Sequence, residues 1–267
     1  MKITRFCDII EYIKFYLLGG SMRITFIGTS HGVPSAERYC TCMLIESGNS
    51  FYFVDAGAPI ADVIQRRGLD MHGFKAVFTT HAHGDHTAGI FQVADLINWY
   101  YRDCSADFFV ADAEQAEALE KLIYISNNKT GVDKARVRFS TVGEGVMYED
   151  ENIRVEYILN KHMTSSPSYS ILVSEGEKRV LFSGDFSGHL CENDVPVEIL
   201  KSGIDVFVCE LAHFSLDELA PYLKKTNTKK LIFTHVYPLE KYNDVEGAKG
   251  KYPFEILTPC DGEGYPV

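Results

Sequence analysis

Positive charge is scarce in this 267-residue sequence, in which 26 lysines and arginines stand against 37 aspartates and glutamates, for a net charge of −11. Nucleic acids and anionic membranes attract proteins mainly through clustered lysine and arginine. The charge balance therefore argues against a broad electrostatic surface for either kind of partner.

Long apolar runs are also missing, since no stretch approaches the roughly 20 residues of a membrane-spanning helix. Residues 9–18 are apolar but contain Glu11 and Lys14, and a signal peptide does not normally carry charges inside its apolar core. We interpret residues 1–21 as an N-terminal extension, either a short amphipathic helix or a segment ahead of a natural start at Met22. No membrane partner is expected.

The seven cysteines lack the even number and regular spacing of a disulfide framework. Several lie in apolar runs, so we expect reduced, mostly buried thiols and a cytoplasmic location. Cys40 and Cys42 have a spacing that can begin a structural zinc site, but no further cysteine follows nearby. Two ordinary thiols in a strand are therefore the preferred interpretation.

A dense group of metal-type ligands is present in residues 80–86, with the sequence THAHGDH. An apolar strand pattern precedes this group and a helical pattern follows it, which predicts a strand-to-helix loop of the kind where α/β sheets place their chemistry. Because alternate side chains of extended chain share a face, His81 and His83 can bind one cation while Asp85 and His86 point elsewhere. Imidazole and carboxylate ligands favour zinc, with iron or manganese as alternatives.

This loop matches the signature HxHxDH and resembles that of the metallo-β-lactamase superfamily, and the resemblance extends from about Met22 to the end of the chain. It implies one hydrolase domain, residues 22–267, of the α/β (α+β) class. The expected fold is a four-layer αββα sandwich in which two mixed β-sheets lie face to face. The helices would lie outside, with the site along one edge where strand ends meet.

Further motifs of the superfamily follow other strand-like runs. Asp55 stands at the first motif, and the resemblance implies that it supports the metal loop without binding metal. His162 stands at the third motif, Asp185 at the fourth and His235 at the fifth. The implied site holds two divalent ions bridged by Asp185, with His81, His83 and His162 on one ion and Asp85, His86 and His235 on the other.

The loop that begins at Ser30 resembles the GTGxGVPS-type opening of the superfamily's phosphodiesterase branch, which includes ribonuclease Z and small-substrate phosphodiesterases. Ser30-His31 replaces part of that pattern, so His31 is either an exposed turn residue or a substrate contact. Ser166 and Ser168 belong to a run that resembles the ribonuclease Z form of the third motif. These four residues are the candidate substrate contacts.

His213 lies 22 residues before His235, the spacing at which this branch carries its proton donor, and Glu210 occupies the position of the glutamate that assists it. The alternative is a capped helix with an incidental histidine. The resemblance thus implies that His213, Glu210 and Asp85 are catalytic. A hydroxide that bridges the two metals would attack a phosphodiester, and His213 would protonate the leaving oxygen.

Other chemistries occur on the same fold. The β-lactamases proper usually have cysteine where Asp185 stands, and flavodiiron proteins have glutamate where His83 stands, so both classes are disfavoured. Glyoxalase II and lactonases share the ligand set and remain alternatives as thioester or lactone hydrolases. A non-catalytic metal-binding protein also remains open.

The segment between the third and fourth motifs bears on the substrate. Bacterial ribonuclease Z carries a long tRNA-binding arm there, whereas His162 and Asp185 are only 185 − 162 = 23 positions apart. With the acidic charge, this favours a small phosphodiester or a short single-stranded nucleic acid over tRNA. A ribonuclease Z-like tRNA 3′ endonuclease remains an alternative, and a homodimer is left open.

Overall fold

The computed structural model of the protein describes residues 22–191 and 194–267, so the interpretation of residues 1–21 as an extension lies outside the described residues. Within those ranges the strands form two sheets of seven strands each. The strands are β1 (Arg23–Gly28), β2 (Cys42–Ser47), β3 (Ser50–Val54), β4 (Phe74–Phe78), β5 (Ala106–Val110), β6 (Val137–Thr141), β7 (Gly145–Glu149), β8 (Arg154–Leu159), β9 (Tyr169–Glu175), β10 (Lys178–Phe182), β11 (Ile204–Leu211), β12 (Thr228–Val236), β13 (Glu255–Leu257) and β14 (Gly264–Pro266).

Each sheet combines antiparallel and parallel pairs. The first has the order β14-β1-β2-β3-β4-β5-β6, and its strands are antiparallel from β14 to β3 and parallel from β3 to β6. The second has the order β13-β12-β11-β10-β9-β8-β7, antiparallel from β7 to β10 and parallel from β10 to β13. The prediction of two mixed sheets is therefore confirmed.

Helices connect the parallel strands. They are α1 (Ile60–Arg67), a 3₁₀ helix (Met71–Gly73), α2 (Gly84–Thr87), α3 (Ile90–Trp99), α4 (Ala113–Ser126), α5 (Val197–Lys201), α6 (Leu216–Leu223) and α7 (Lys241–Ala248). The Ser215 side chain accepts from the backbone N–H of Glu218, whose carboxylate accepts in return from Ser215, a capping box that fixes where α6 begins. Among the described residues, each helix is too short or too polar to cross a bilayer.

The apolar side chains of the described residues form clusters on both sides of each sheet. In β3, Phe53 packs outward against α1 and α3, whereas Tyr52 and Val54 pack between the two sheets. The outer face of the second sheet, with Phe207 of β11, packs against α6 and α7. Because both faces of each sheet are covered, the central strands β3 and β11 are buried along their whole length. This is the four-layer αββα arrangement that the resemblance implied.

The thiols of the described residues are free. Cys40, Cys42, Cys104 and Cys209 are buried, while the other two described cysteines are exposed. Within the described ranges, the groups of side chains close enough to share a metal do not include Cys40 or Cys42.

Candidate metal centre

Strand ends from the two sheets converge on one edge of the sandwich. The first sheet contributes Asp55, which follows β3, and residues 81–86, which follow β4. The second sheet contributes His162 after β8, Asp185 after β10 and His235 near the end of β12. Distant parts of the sequence are thereby brought to one place, as the motif positions predicted.

Three histidines and one carboxylate form the first group of candidate ligands. The Nε2 atom of His81 lies 2.9 Å from Nδ1 of His83, which lies 3.4 Å from Nε2 of His162. The Oδ2 atom of Asp185 is 3.8 Å from Nε2 of His81 and 3.7 Å from Nε2 of His162. The four ligand atoms lie within 4.8 Å of one another, close enough to surround one cation.

A second group lies beside the first. The Oδ2 atom of Asp85 is 3.5 Å from Nε2 of His86 and 3.3 Å from Nε2 of His235. The Oδ2 atom of Asp185 is 3.5 Å from Nε2 of His86 and 3.6 Å from Nε2 of His235. A single oxygen of Asp185 therefore faces both groups, which is the position that a bridging ligand needs.

The residues present fit a pair of divalent cations. The Nε2 atom of His86 is buried and has no hydrogen-bond partner among the described residues, although it faces two carboxylates. A cation between them would satisfy that nitrogen and both carboxylates together. Imidazole and carboxylate donors are the ligands of zinc and, with less preference, of iron or manganese.

Electrostatics in the centre also favour a cation. Burial disfavours a charged imidazole at His81 and, with the neighbouring His86, holds the pKa of His81 well below its usual range. Burial opposes ionisation of Asp185, but the facing imidazoles of His235 and His86 outweigh it and keep its pKa well below normal. Burial likewise opposes the charged form of His86, yet Asp185 and Asp55 raise its pKa well above normal. The carboxylates thus favour positive charge at the His86 imidazole, and a metal ion can supply that charge in place of a proton.

Other side chains orient the candidate ligands from behind. The carboxylate of Asp55 accepts hydrogen bonds from the backbone N–H of Thr80 at 2.8 Å and its hydroxyl at 3.0 Å, and lies 2.7 Å from Nδ1 of His86. The Nδ1 atom of His162 lies 2.9 Å from the carbonyl oxygen of Phe186. Such contacts fix the tautomer and direction of a ligating imidazole, so Asp55 stands where its predicted orienting role requires.

Two glycines allow the loops of the centre to approach one another. A Cβ atom at Gly57 would lie 1.8 Å from the carbonyl oxygen of Asp85. At Gly184 φ is +61°, a conformation that side chains rarely adopt, and a Cβ atom would lie 2.5 Å from the carbonyl oxygen of Tyr169. A side chain at Gly57, which contacts the Asp85 backbone, or at Gly184, which precedes Asp185, would therefore force the backbone of these loops to move.

His213 lies at the open side of the centre. Its Nδ1 atom is 2.9 Å from Oε1 of Glu210 and 3.9 Å from Oδ2 of Asp185, and its ring centroid is 4.7 Å from that of His162. Burial lowers the pKa of His213, but the hydrogen bond to Glu210 outweighs this effect and raises it. The side chain is 31% exposed, so a substrate in the opening can reach the ring.

The candidate substrate contacts differ in accessibility. The His31 ring packs against Tyr237, with centroids 4.2 Å apart, beside the centre. Ser30 is buried and its hydroxyl donates to the carbonyl of Val33 at 2.8 Å. Ser168 is also buried, with its hydroxyl accepting from a backbone N–H at 3.2 Å, and the Ser166 hydroxyl donates to Asp112 at 2.7 Å. A substrate role for these four residues stays a prediction.

Asn160 is a site residue that the sequence analysis missed. Its amide donates to the carbonyl oxygen of Asp185 at 3.0 Å and to that of Ser183 at 3.3 Å, while its Oδ1 accepts from the backbone N–H of His162 at 3.3 Å. One buried side chain therefore ties together the loops of two candidate ligands. Its place two positions before His162 was visible in the sequence, but its partners on the other loop were not.

The fold and the paired ligand groups define a metallo-β-lactamase-fold protein with candidate sites for two metal ions. Residues 22–255 match the family model described as anti-Pycsar protein Apyc1, and the chain belongs to this family.

Several named proteins are similar to this chain in sequence or in structure. Ribonuclease Z of Mycobacterium sp. strain KMS is 22% identical over 244 residues, which cover 81% of this chain and 85% of that protein. The metallo-β-lactamase-fold protein YhfI of Bacillus subtilis superposes with a TM-score of 0.73 at 17% identity, covering 92% and 99% of the two chains. The short form of human tRNase Z has a TM-score of 0.69 at 17% identity, with the same coverage. At such identities, the structural likeness shows a shared fold.

Proposed function

We propose that this protein is a metal-dependent hydrolase, and specifically a dinuclear-zinc phosphodiesterase that acts on a small phosphodiester or a short single-stranded nucleic acid. The observation that carries the proposal is the position of Asp185, whose Oδ2 atom lies between 3.5 and 3.8 Å from the Nε2 atoms of four histidines, two in each ligand group. When bound, two divalent cations activate water at neutral pH and neutralise charge on the attacking and leaving oxygens of a phosphodiester.

The chain's own residues would position the reactants and move a proton. The imidazoles of the two groups, together with Asp85 and Asp185, hold the cations. Glu210 accepts from Nδ1 of His213 and so leaves Nε2 of that ring for the substrate. From Nε2, His213 donates a proton to the departing alkoxide, a step that typically contributes about 10²- to 10⁴-fold to the rate.

The segment between the third and fourth motifs favours a small substrate. Residues 163–184 form a loop followed by β9 and β10, which pair with each other inside the second sheet. This leaves that stretch without room for an extended RNA-binding arm, and the net charge of −11 opposes a large polyanion. Several relatives are named ribonuclease Z, so a structured RNA substrate is the second candidate.

A substrate panel tests the reaction class. The purified protein is assayed on bis-p-nitrophenyl phosphate, a phosphomonoester, a thioester, a lactone and a tRNA precursor, each with and without chelator. We expect hydrolysis of the phosphodiester that stops with chelator and returns with zinc. Hydrolysis of only the thioester or the lactone would overturn the phosphodiesterase assignment, and selective cleavage of the tRNA precursor would favour the second candidate. Inactivity on the whole panel would favour a non-catalytic metal-binding protein.

Replacement of His213 tests the proton donor. We expect His213→Ala to retain both metal ions but to lose about 10²- to 10⁴-fold in kcat on a phosphodiester with a poor leaving group. Elemental analysis of the same preparation provides the control. His213 also lies close enough to Asp185 and His235 to share an ion with them, so loss of metal from this variant would make it a ligand instead.

A further inference from the structure

The turn that carries His213 is held from two sides by charged groups. On one side, Oε2 of Glu210 accepts from the backbone N–H groups of Ala212 at 2.6 Å and of His213 at 3.2 Å. On the other side, the ammonium of Lys241 donates to the carbonyl oxygens of Ala212 at 2.8 Å and of Phe214 at 2.7 Å. The carbonyl oxygens of the two residues that flank His213 are thus bound to the same lysine.

Lys241 reaches this turn from a helix that packs against the second sheet. It is the first residue of α7, which follows β12, and β12 carries His235. Its side chain therefore connects the segment of a candidate metal ligand to the turn of the candidate proton donor. Hydrogen bonds from a charged donor are shorter and stronger than neutral ones, so the pair of bonds restricts the peptide groups that follow Ala212 and Phe214.

Another lysine of the same region provides a contrast. Lys249 lies directly after α7, is exposed, and pairs with Glu246 of its own helix. Among the described residues, the hydrogen-bond and ion-pair partner of its ammonium is Glu246 and not the His213 turn. The link between α7 and that turn therefore depends on Lys241 and not on the general charge of the helix.

We propose that Lys241 is a positioning residue for proton transfer by His213, acting through the carbonyl groups of Ala212 and Phe214. This inference rests on the proposed function, because it assumes that His213 protonates a leaving group. Proton transfer depends steeply on the separation and angle of donor and acceptor, and small displacements of a catalytic group can cost about 10²-fold in rate. Loss of the Lys241 bonds would release the turn on one side and misplace the imidazole.

The test compares two phosphodiesters that differ only in their leaving group. A p-nitrophenolate departs without protonation, whereas an unsubstituted phenolate or an alkoxide benefits from a proton donor. We expect Lys241→Met to lower kcat about 10- to 100-fold on the ester with the poor leaving group and little on the p-nitrophenyl ester. KM and bound metal should be unchanged, Lys241→Arg should restore part of the rate, and Lys249→Met should behave as the parent.

Each outcome bears on the inference. An equal loss on both esters, or no loss on either, would overturn it, because a purely structural role does not distinguish leaving groups. If His213→Ala is selective for the poor leaving group but Lys241→Met is not, the inference fails while the proposed function stands. If His213→Ala itself is not selective, the proton-donor role fails and the inference with it. Lys241→Gln, which keeps an uncharged donor, serves as a second variant should Lys241→Met fold poorly.

Discussion

Asp55 and His235, two residues of the candidate centre, have positive φ angles of 55° and 53°. A residue other than glycine in this region typically costs on the order of 1–3 kcal/mol, so neighbouring contacts must hold it there. The backbone N–H of Asp55 donates to Phe78 at 2.9 Å and that of His235 donates to Thr29 at 3.1 Å. Both side chains are thereby turned into the centre at the expense of local backbone preference.

Gly57→Ala tests the close approach of two loops. The added methyl would lie 1.8 Å from the carbonyl oxygen of Asp85, so the Asp85 backbone must move, and overpacking of this kind typically costs about 1–3 kcal/mol. We expect the ion that we assign to Asp85, His86 and His235 to be lost while the other is retained, as measured by elemental analysis. The matched control is Gly143→Ala, where a methyl has open space. Two fully retained ions in Gly57→Ala would contradict the expectation.

At the residue scale, the candidate ligands were predictable because residue types that bind metals occur in one compact motif or directly after strand-like runs. His81, His83 and their neighbours form one compact motif, and the remaining histidines and aspartates follow apolar strand runs. Asn160 and Lys241 were not predictable, because they act on backbone carbonyls of segments distant in the sequence. A carbonyl group is the same in every residue, so no residue type marks such a partner.

At the scale of elements, the 3₁₀ helix before β4 is joined to the connection between α3 and β5 by one imidazole. The Nδ1 atom of His72 lies 2.8 Å from Asp70 and its Nε2 atom lies 3.0 Å from Asp103. Hydrogen bonds to Asp70 and then to Asp103 raise the pKa of His72, and the same bonds lower the pKa of both carboxyl groups. An imidazole whose charged form is favoured by two carboxylates thus connects two elements at the surface.

The stability of this contact should depend on pH. Because the pKa of His72 is raised on folding, its contribution is fully present below the ordinary histidine pKa of about 6.5 and is lost as pH rises through the folded value. We expect the unfolding midpoint of the parent to exceed that of His72→Gln more at about pH 5.5 than at about pH 9, as measured by thermal denaturation. The difference should shrink in high salt, because the groups are exposed. A pH-independent difference would contradict this assignment.

Some strands of the two sheets were predictable from the sequence, and others were not. The strands that lead to Asp55, Asp185 and His235 end in buried runs rich in apolar residues, which stand out in the sequence. In contrast, β7 is only partly buried, and β13 and β14 are three residues long. These strands lie at the edges of their sheets, and β13 and β14 form by pairing with β12 and β1, which are distant in the sequence. Their local sequence therefore did not predict them.

At the scale of the whole molecule, the candidate ligands join the two sheets. Residues 81–86 follow β4 of the first sheet, whereas His162, Asp185 and His235 belong to the second. Metal ions bound between them would act as cross-links in the folded state. Without metal, the carboxylates of Asp85 and Asp185 would be paired with the imidazoles of the candidate ligands.

Metal removal should therefore lower stability. A ligand that binds only the folded state stabilises it by about 2.7 kcal/mol at 100 times its dissociation constant. We expect chelator to lower the thermal unfolding midpoint by several degrees and added zinc to restore it, as measured by calorimetry. The variant Asp185→Asn, which weakens both sites, should respond much less. An unchanged midpoint in the parent, at a metal content shown to be zero, would contradict this expectation.

The pairing of β14 with β1 places residues 22 and 267 side by side, with the N–H of Val267 donating to Met22 at 2.9 Å. From there β1 runs for six residues towards Thr29, which contacts His235, a span of about 20 Å. A reporter protein or a surface-immobilisation handle attached after residue 267 would consequently sit at the corner remote from the candidate metal centre. A circular permutant that joins residue 267 to residue 22 would need only a short linker.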